Sequence, residues 1–531
     1  MRPSRFRVPV TIALAALILL GPALFWGRPF IFYDTPVYWG WGKDVVGALQ
    51  HPWPRAGAPW IPGRPLFGWE LGAHGATLGD LRFTLTAIEA RSIFYAVPLY
   101  LLAAAGGLWL VAALQALAAA LVLRTSVRAL APALGEAAFL AVTAALVLLT
   151  AVGFEACDIM PDLFGGLAVL AAAVLIARPE RLSRAARLGL AAVAGYAVLA
   201  HAENGLNLAA AAAFGVVFFA REGMKAALLR VAPVAGALAA AAIVGLIGHA
   251  GVEQAFGRPS HPAPFLVSRL AADGAVQRYL AKACSRPGLA SCDLAQIHAD
   301  YPEYYLALYP LSPPPDLANA ASAYDRLQST DVSDASAARR ERFLAEGPRL
   351  VAGALTADGP HLAALALARG GALMGAGAVG PNFDSFAGLM RERTQRARET
   401  AAITPGAADC GRTRAASCGP LAPGPLAAIQ TLALLAGLAA LGGCLLLDAP
   451  EARDLRAFAA QILFLLMANA LICGALSGLY ERYQIRVAWL APFVALVALA
   501  SGLVRRRARA TLPSPVPGIV PPIAAVQRRP S

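Results

Sequence analysis

Long, nearly uncharged apolar runs dominate this sequence and limit what it can fold into. Several extend over about 18 to 25 residues, the length that an α-helix needs to cross about 30 Å of hydrocarbon. In a chain of 531 residues that is 58% hydrophobic and 15% charged, there are more apolar side chains than an ordinary soluble core can bury. The sequence therefore predicts a multi-pass membrane protein whose partner is the lipid bilayer.

Hydropathy divides the chain into ten predicted spans, and we expect an all-α multi-pass transmembrane bundle of about ten helices. The spans cover residues 8–25, 95–123, 133–152, 163–177, 188–203, 205–220, 231–248, 425–447, 457–478 and 487–504.

The spans define four predicted regions. Residues 1–248 form an N-terminal transmembrane region with seven spans and the outer loop 26–94, and residues 425–504 form a C-terminal region with three. Between them, residues 249–424 have a soluble composition and predict a mainly helical extracytoplasmic domain. The proline-rich residues 505–531 predict a disordered cytoplasmic tail.

Arginine placement gives the predicted orientation. Every second short loop is basic, and cytoplasmic loops of membrane proteins are enriched in Lys and Arg. The segments predicted to face the cytoplasm, both termini included, hold 20 of the 45 Lys and Arg but only 6 of the 32 Asp and Glu. Topology therefore accounts for the net charge of +13, and a nucleic-acid partner is not expected.

Four of the seven cysteines fall in the predicted outer domain. They form two pairs eight residues apart, Cys284 with Cys292 and Cys410 with Cys418. Outside the cytosol such pairs tend to oxidise, so we predict two local disulfides, with crossed pairing or free thiols as the alternatives. Because no histidine stands beside them at metal-ligand spacing, we predict no metal site there.

Polar residues gather at the predicted outer ends of the spans, where contact with lipid would make them costly. Four turns carry them, at residues 32–41, 155–162, 201–204 and 480–486. Their side chains should lie at one depth, beneath the outer domain. An active site at a membrane surface needs such a ring of polar groups.

Nine of these residues are candidates for function. The predicted catalytic residues are Asp34, Asp158 and Asp162, and the predicted substrate-binding residues are Arg482, Arg486, His201, Glu203, Tyr38 and Trp39. Guanidinium groups bind phosphate bidentately, and aromatic rings can stack on sugars. Each candidate also has a structural explanation, because such residues cap helices, fill polar turns or anchor a helix at the interface.

This arrangement resembles the GT-C fold glycosyltransferases, which use polyprenyl-phosphate-linked sugars. The resemblance lies in the architecture and in residues 33–38, 160–162 and 481–483, which read Tyr-Asp-Thr-Pro-Val-Tyr, Met-Pro-Asp and Glu-Arg-Tyr. Residues 265–270, followed by Asp273-Gly274 and then by Cys284 and Cys292, also resemble a block in uncharacterised bacterial membrane proteins of this type.

The resemblance implies transfer of a sugar from a polyprenyl-phosphate donor to an envelope acceptor. The reaction would take place on the outer face of the bacterial inner membrane, with the large loop periplasmic or extracellular. Asp34 matches the early acid that acts as general base on the acceptor hydroxyl, and Arg482 would face the donor phosphate. The family often has an acidic pair where this chain continues with Thr35, which leaves the use of a divalent metal open.

Two other classes of function remain as alternatives. No Walker loop, dinucleotide-binding glycine pattern or metalloprotease helix motif occurs in the sequence. A transporter would place its polar residues near the bilayer midplane, whereas here they lie at one face. A non-catalytic envelope assembly protein is the second alternative.

Overall fold

The structure is a computed structural model, and it describes part of the chain. The described residues are 7–50, 87–89, 91–256, 260–262, 265–285, 289, 292, 334–380, 383–387, 400–401, 403–404, 424–446, 453–477 and 479–510. Within them the chain is almost entirely helical, and one main apolar core joins the first helix to the last.

The N-terminal region is a series of helices joined by short turns. They are α1 Arg7–Leu19, α2 Gly21–Trp26, α3 Thr35–Gln50, α4 Ile93–Leu130, α5 Glu136–Leu149, α6 Val152–Cys157, α7 Asp162–Ala177, α8 Arg184–Ala200, α9 Asn204–Phe219 and α10 Met224–Phe256. The predicted span 8–25 covers two helices, because the chain breaks between α1 and α2, and the predicted span 133–152 ends at the break between α5 and α6.

The rest of the described chain is also helical. Its helices are α11 Phe265–Ala272, α12 Ala275–Ala283, α13 Asp334–Met374, α14 Gly424–Leu445, α15 Arg453–Leu476, α16 Arg482–Ala488 and α17 Leu490–Ala510. Two short strands, β1 Ala87–Glu89 and β2 Ser260–Pro262, pair in parallel, with Ala87 opposite Ser260. Because α17 continues to Ala510, the first residues of the predicted disordered tail are helical.

Seven helices in the described ranges are long and apolar enough to cross a membrane. They are Ile93–Leu130, Asn204–Glu222, Met224–Ala255, Ala345–Met374, Gly424–Leu445, Leu455–Leu476 and Arg482–Val504. Large apolar side chains face outward from them, and Val217, Leu246 and Ile247 are 76%, 71% and 66% exposed. Such a surface requires lipid as its solvent, so the chain is a multi-pass helical membrane protein.

The predicted spans correspond to these helices in part. Six of the seven long apolar helices coincide with predicted spans, and three further predicted spans match shorter apolar helices, Val8–Leu19, Glu136–Leu149 and Asp162–Ala177. The tenth predicted span corresponds to α8. The seventh long apolar helix, Ala345–Met374, lies in the segment predicted to be a soluble domain.

The apolar part of α13 packs closely against α15. A Cβ atom added to Gly474 would lie 2.7 Å from the backbone nitrogen of Gly370, so the two helix backbones are in direct contact. Next to this contact, Leu373 shares a buried cluster with Ala470 and Cys473. Close approach through small residues is typical of helix pairs inside membranes.

Helix α7 lies at the centre of the bundle. All of its residues are buried, and its neighbours are α4, α8, α9, α10, α15 and α16. Small residues make this packing possible, since a Cβ atom on Gly166 would lie 2.1 Å from the carbonyl oxygen of Arg486. The close contact brings α16, and the arginines it carries, against the first turn of α7.

Helix α4 is broken in its interior at Gly106 and Gly107. Gly107 has a φ of 67° and a ψ of −175°, a conformation that glycine adopts without the steric penalty of a Cβ atom. The two halves of α4 therefore take different directions, and the first half, next to Arg91, follows α3.

Residues after α10 form a small helical unit on α13. Helices α11 and α12 pack against it, and Asp273, in the turn between them, pairs with Arg269 and Arg369. Cys284 follows α12 directly and forms a disulfide with Cys292, with 5.7 Å between their Cα atoms. The other predicted pair, at positions 410 and 418, lies outside the described residues.

Candidate functional site

Four helix ends meet at one end of the bundle, which we call the site end. Asp34 precedes α3, Asp162 opens α7, Glu203 lies between α8 and α9, and Arg482 opens α16. Although these residues are far apart in sequence, their side chains join Arg486 in one network of ion pairs. The structure thus brings together residues from all four of the turns in which the sequence concentrates its polar residues.

The ion pairs form a chain in which positive and negative groups alternate. Their order is Arg91, Asp34, Arg482, Asp162, Arg486 and Glu203. Three carboxylates therefore face three guanidinium groups. This pairing offsets the cost of gathering six charges at the end of an apolar bundle.

Asp34 lies at the accessible end of the ion-pair chain, between two arginines. Its Oδ1 atom is 2.6 Å from Nη2 of Arg91, and its Oδ2 atom is 3.2 Å from Nη2 of Arg482. The side chains of Arg91, Asp34 and Arg482 are 12%, 15% and 18% exposed. All three side chains therefore keep some open surface, unlike that of Arg486.

Aromatic rings hold the two accessible arginines in place. The guanidinium carbon of Arg482 lies 4.1 Å from the ring centre of Phe32 and 5.0 Å from that of Tyr483. The guanidinium carbon of Arg91 lies 5.7 Å from the ring centre of Tyr38. Tyr38 itself is buried, so it forms a wall of the site behind Arg91.

Arg486 belongs to the buried end of the ion-pair chain. It has no exposed side-chain surface, lies 3.6 Å from Asp162, and also pairs with Glu203 and with Asn469 Oδ1. The substrate-binding role of Arg486 stays a prediction, and the structure shows its side chain in contact with buried partners. It holds Asp162, which in turn lies 3.8 Å from Arg482.

Asp158, also predicted to be catalytic, has a different environment. Its backbone pairs with Phe30, and its carbonyl oxygen accepts a 2.7 Å hydrogen bond from Nε2 of Gln115. Burial, together with the nearby carboxylates of Glu155 and Asp162, raises the pKa of Asp158 well above its usual range. The catalytic role of Asp158 stays a prediction, and its buried side chain is less open to a ligand than that of Asp34.

His201 lies beside the ion-pair chain, whereas the ring neighbours of Trp39 belong to α3 and α4. Nδ1 of His201 is 3.7 Å from Oε1 of Glu203, and the His201 side chain is 28% exposed. The ring of Trp39 lies 5.8 Å from the ring of Tyr100, with Nζ of Lys43 at 5.5 Å. Trp39 is therefore part of the interface between α3 and α4.

Arg91 was not among the residues predicted from the sequence, although it pairs directly with Asp34. The sequence does contain a signal for it. Like Arg482, Arg91 stands immediately before a long apolar span, on the side where the basic loops are not found. An arginine in such a position calls for a partner of opposite charge.

Among the described residues, no group of three or more His, Cys, Asp or Glu side chains is arranged to hold a metal ion. The carboxylates of the ion-pair chain are matched with guanidinium groups. No family model, curated protein or solved structure matches this chain. Its function therefore has to be inferred from the chemistry of the site end.

Proposed function

We propose that this protein is a membrane glycosyltransferase that moves a sugar from a polyprenyl-phosphate donor to an envelope acceptor. The observation that carries the proposal is the position of Asp34, an accessible carboxylate between two guanidinium groups at the end of an apolar bundle. A lipid-linked sugar phosphate needs both kinds of group near the membrane surface. The resemblance of residues 33–38 and 481–483 to the GT-C glycosyltransferases supports the same reaction.

The two accessible arginines bind the donor phosphate in this proposal. A guanidinium group pairs with two phosphate oxygens at once, and a phosphate offers more oxygen atoms and more charge than a carboxylate. The phosphate therefore competes with Asp34 for Arg91 and Arg482. When the arginines turn to the phosphate, the carboxylate of Asp34 becomes available to a hydroxyl group.

Asp34 then acts as the general base. It accepts the proton of the acceptor hydroxyl while the hydroxyl oxygen bonds to the anomeric carbon of the sugar. The bond from that carbon to the phosphate oxygen breaks, and the phosphate leaves with the electron pair. Arg91 and Arg482 stabilise the charge that develops on the leaving phosphate.

The proposal also gives the protein a location and an orientation. Arg124 and Arg128, near the end of α4 that is far from Arg91, pair with Glu136 at the start of α5. Basic turns of this kind mark the cytoplasmic side of a membrane. The site end would then face the periplasm or the exterior of a bacterial inner membrane.

Sugar transfer by the purified protein tests this function. We expect wild-type protein to transfer sugar from polyprenyl-phosphate donors. General-base assistance contributes a factor of about 10² to 10⁴ in rate, so Asp34→Asn should lose activity by that factor while it still folds and binds the donor. Arg482→Ala should weaken donor binding. Glu136→Gln removes a paired carboxylate at the start of α5 and serves as the matched control with unchanged activity.

Two outcomes would contradict the proposal. Wild-type turnover by Asp34→Asn would show that this carboxylate is not the base. Failure of wild-type protein to bind any polyprenyl-phosphate donor would favour the transporter or the envelope assembly protein.

A further inference from the structure

The loop that carries Asp34 is bonded to the turn between α6 and α7. The N–H of Phe30 donates to the carbonyl oxygen of Cys157 at 3.0 Å, and the carbonyl oxygen of Phe30 accepts from the N–H of Ile159 at 3.1 Å. The hydroxyl of Thr35 donates to the carbonyl oxygen of Ile159 at 3.0 Å. These bonds fix one edge of the loop.

The other edge of this loop is held by residues that follow α13. The carboxylate of Asp384 is fully buried, and it accepts hydrogen bonds from the guanidinium group of Arg28 and, at 3.1 Å, from the N–H of Ile31. The N–H of Ser385 donates to the carbonyl oxygen of Ile31 at 2.7 Å. The guanidinium carbon of Arg28 lies 4.1 Å from the ring centre of Phe386.

The same segment also approaches the second loop of the site. A Cβ atom on Gly380 would lie 2.5 Å from Oε2 of Glu481, the residue immediately before Arg482. The N–H of Val379 donates to Oε1 of Gln430 on α14 at 2.8 Å. The described residues between 379 and 386, which we call the strap, therefore connect the loop of Asp34 with that of Arg482.

We propose that Asp384 is a positioning residue for Asp34. By holding Arg28 and Ile31, it fixes where the loop presents the Asp34 carboxylate to the two arginines and to the acceptor. The inference rests on the proposed function, because it concerns the residue assigned there as the base. A general base must lie within hydrogen-bonding reach of the proton it accepts, so its position is part of its activity.

A buried ion pair suits this task better than an apolar contact. Burying two charges is costly, and an apolar pair of similar size often stabilises a fold equally well. The planar guanidinium group of Arg28, however, matches the Asp384 carboxylate in a fixed geometry that apolar side chains do not impose. The pair joins residues 356 positions apart, so it sets the register between two distant parts of the chain.

Two measurements on the full-length protein test the inference. A displacement of about 1 Å can reduce a rate by about 100-fold, so Asp384→Asn should lower kcat by about 10- to 100-fold while donor affinity stays close to wild type. The second measurement does not depend on activity. Tyr33 is 37% exposed, and in a Tyr33→Cys background Asp384→Asn should change the rate at which an impermeant maleimide labels position 33.

Ser385→Ala is the matched control on the strap. The buried hydroxyl of Ser385 has no hydrogen-bond partner among the described residues, and alanine keeps the backbone bond to Ile31. This variant should leave both kcat and the labelling rate unchanged. If Asp384→Asn does not fold, the double variant Arg28→Gln with Asp384→Asn removes both charges together, and it should fold and show the same selective loss of kcat.

The outcomes separate this inference from the proposed function. Unchanged labelling of position 33, or wild-type kcat, in a folded Asp384 variant would overturn the positioning role. Equal losses of kcat and donor affinity would mean a merely structural role and would also overturn it. If wild-type protein transfers no sugar, the proposed function fails, and the labelling rates alone decide whether Asp384 holds the loop.

Discussion

Replacing Arg486 with alanine would leave two buried carboxylates without the cation they share. Arg486 is completely buried, and the side chains of Asp162 and Glu203 are only 4% and 8% exposed. Neither carboxylate is open to bulk water, which would otherwise solvate it in place of the guanidinium group.

The cost of this substitution follows from the burial of its partners. Breaking a buried ion pair by removing one member typically destabilises a protein by about 3 to 5 kcal/mol. We expect Arg486→Ala to reach this range because both of its carboxylates are buried. Arg124→Ala is the comparison, since Arg124 and its partner Glu136 are more exposed, at 19% and 26%, and Glu136 keeps Arg128 as a partner. We expect its loss to lie closer to the contribution of surface pairs, about 0 to 1 kcal/mol.

The assay is reversible unfolding in detergent micelles, with the free energy of unfolding measured for the wild type and both variants. Arg486→Ala should lose several times more stability than Arg124→Ala. The double variant Arg486→Met with Glu203→Gln should recover part of the loss because it removes charge from both sides. A loss below about 1 kcal/mol for Arg486→Ala would refute the reasoning, since it is the value expected for an exposed pair.

Two further predictions concern α13 and the unit packed on it. Burial alone would raise the pKa of Asp273, but its hydrogen bonds with two arginines outweigh burial and lower that pKa below its usual value. The stabilisation that the Asp273 pairs provide is therefore complete above the pKa of Asp273 in the unfolded chain, about 4, and is lost as pH falls through its lower pKa in the folded chain. Thermal unfolding measured from pH 7 to pH 3 should show this loss in the wild type. The Asp273→Asn variant should show a smaller dependence on pH. Gly474→Ala should destabilise the contact between α13 and α15 by about 1 to 3 kcal/mol in the same unfolding assay, because its Cβ atom would overlap the α13 backbone. Gly442→Ala is the control and should be neutral, because a Cβ atom there meets open space. Equal effects of the two substitutions would contradict the close contact.

The convergence of the four polar turns could be predicted because polar groups are costly in lipid and helix ends lie at fixed depths. The individual pairings could not be predicted. Arg482 and Arg486 are one helical turn apart and look alike in the sequence. Only the packing of α16 against α7 decides that one is accessible and the other buried.

Two parts of the fold gave weaker signals in the sequence. The apolar stretch Ala345–Met374 contains Asp358 and Arg369 and follows a charged helical segment, so its average composition resembles that of a soluble helix. Asp384 lies in a segment with no marked local pattern, and its partner Arg28 is 356 residues away. Pairing at that separation depends on the three-dimensional path of the chain.

The complete burial of α7 has a consequence for how the protein is assembled during synthesis. Asp162 enters the membrane region with the first few spans, but Arg482 and Arg486 follow it by more than 300 residues. Until those arginines are inserted, the carboxylate of Asp162 lacks the cations that offset its cost near lipid. A ribosome must therefore complete nearly the whole chain before the carboxylate of Asp162 has both of its arginine partners. A truncated product carries this carboxylate on its central helix without them.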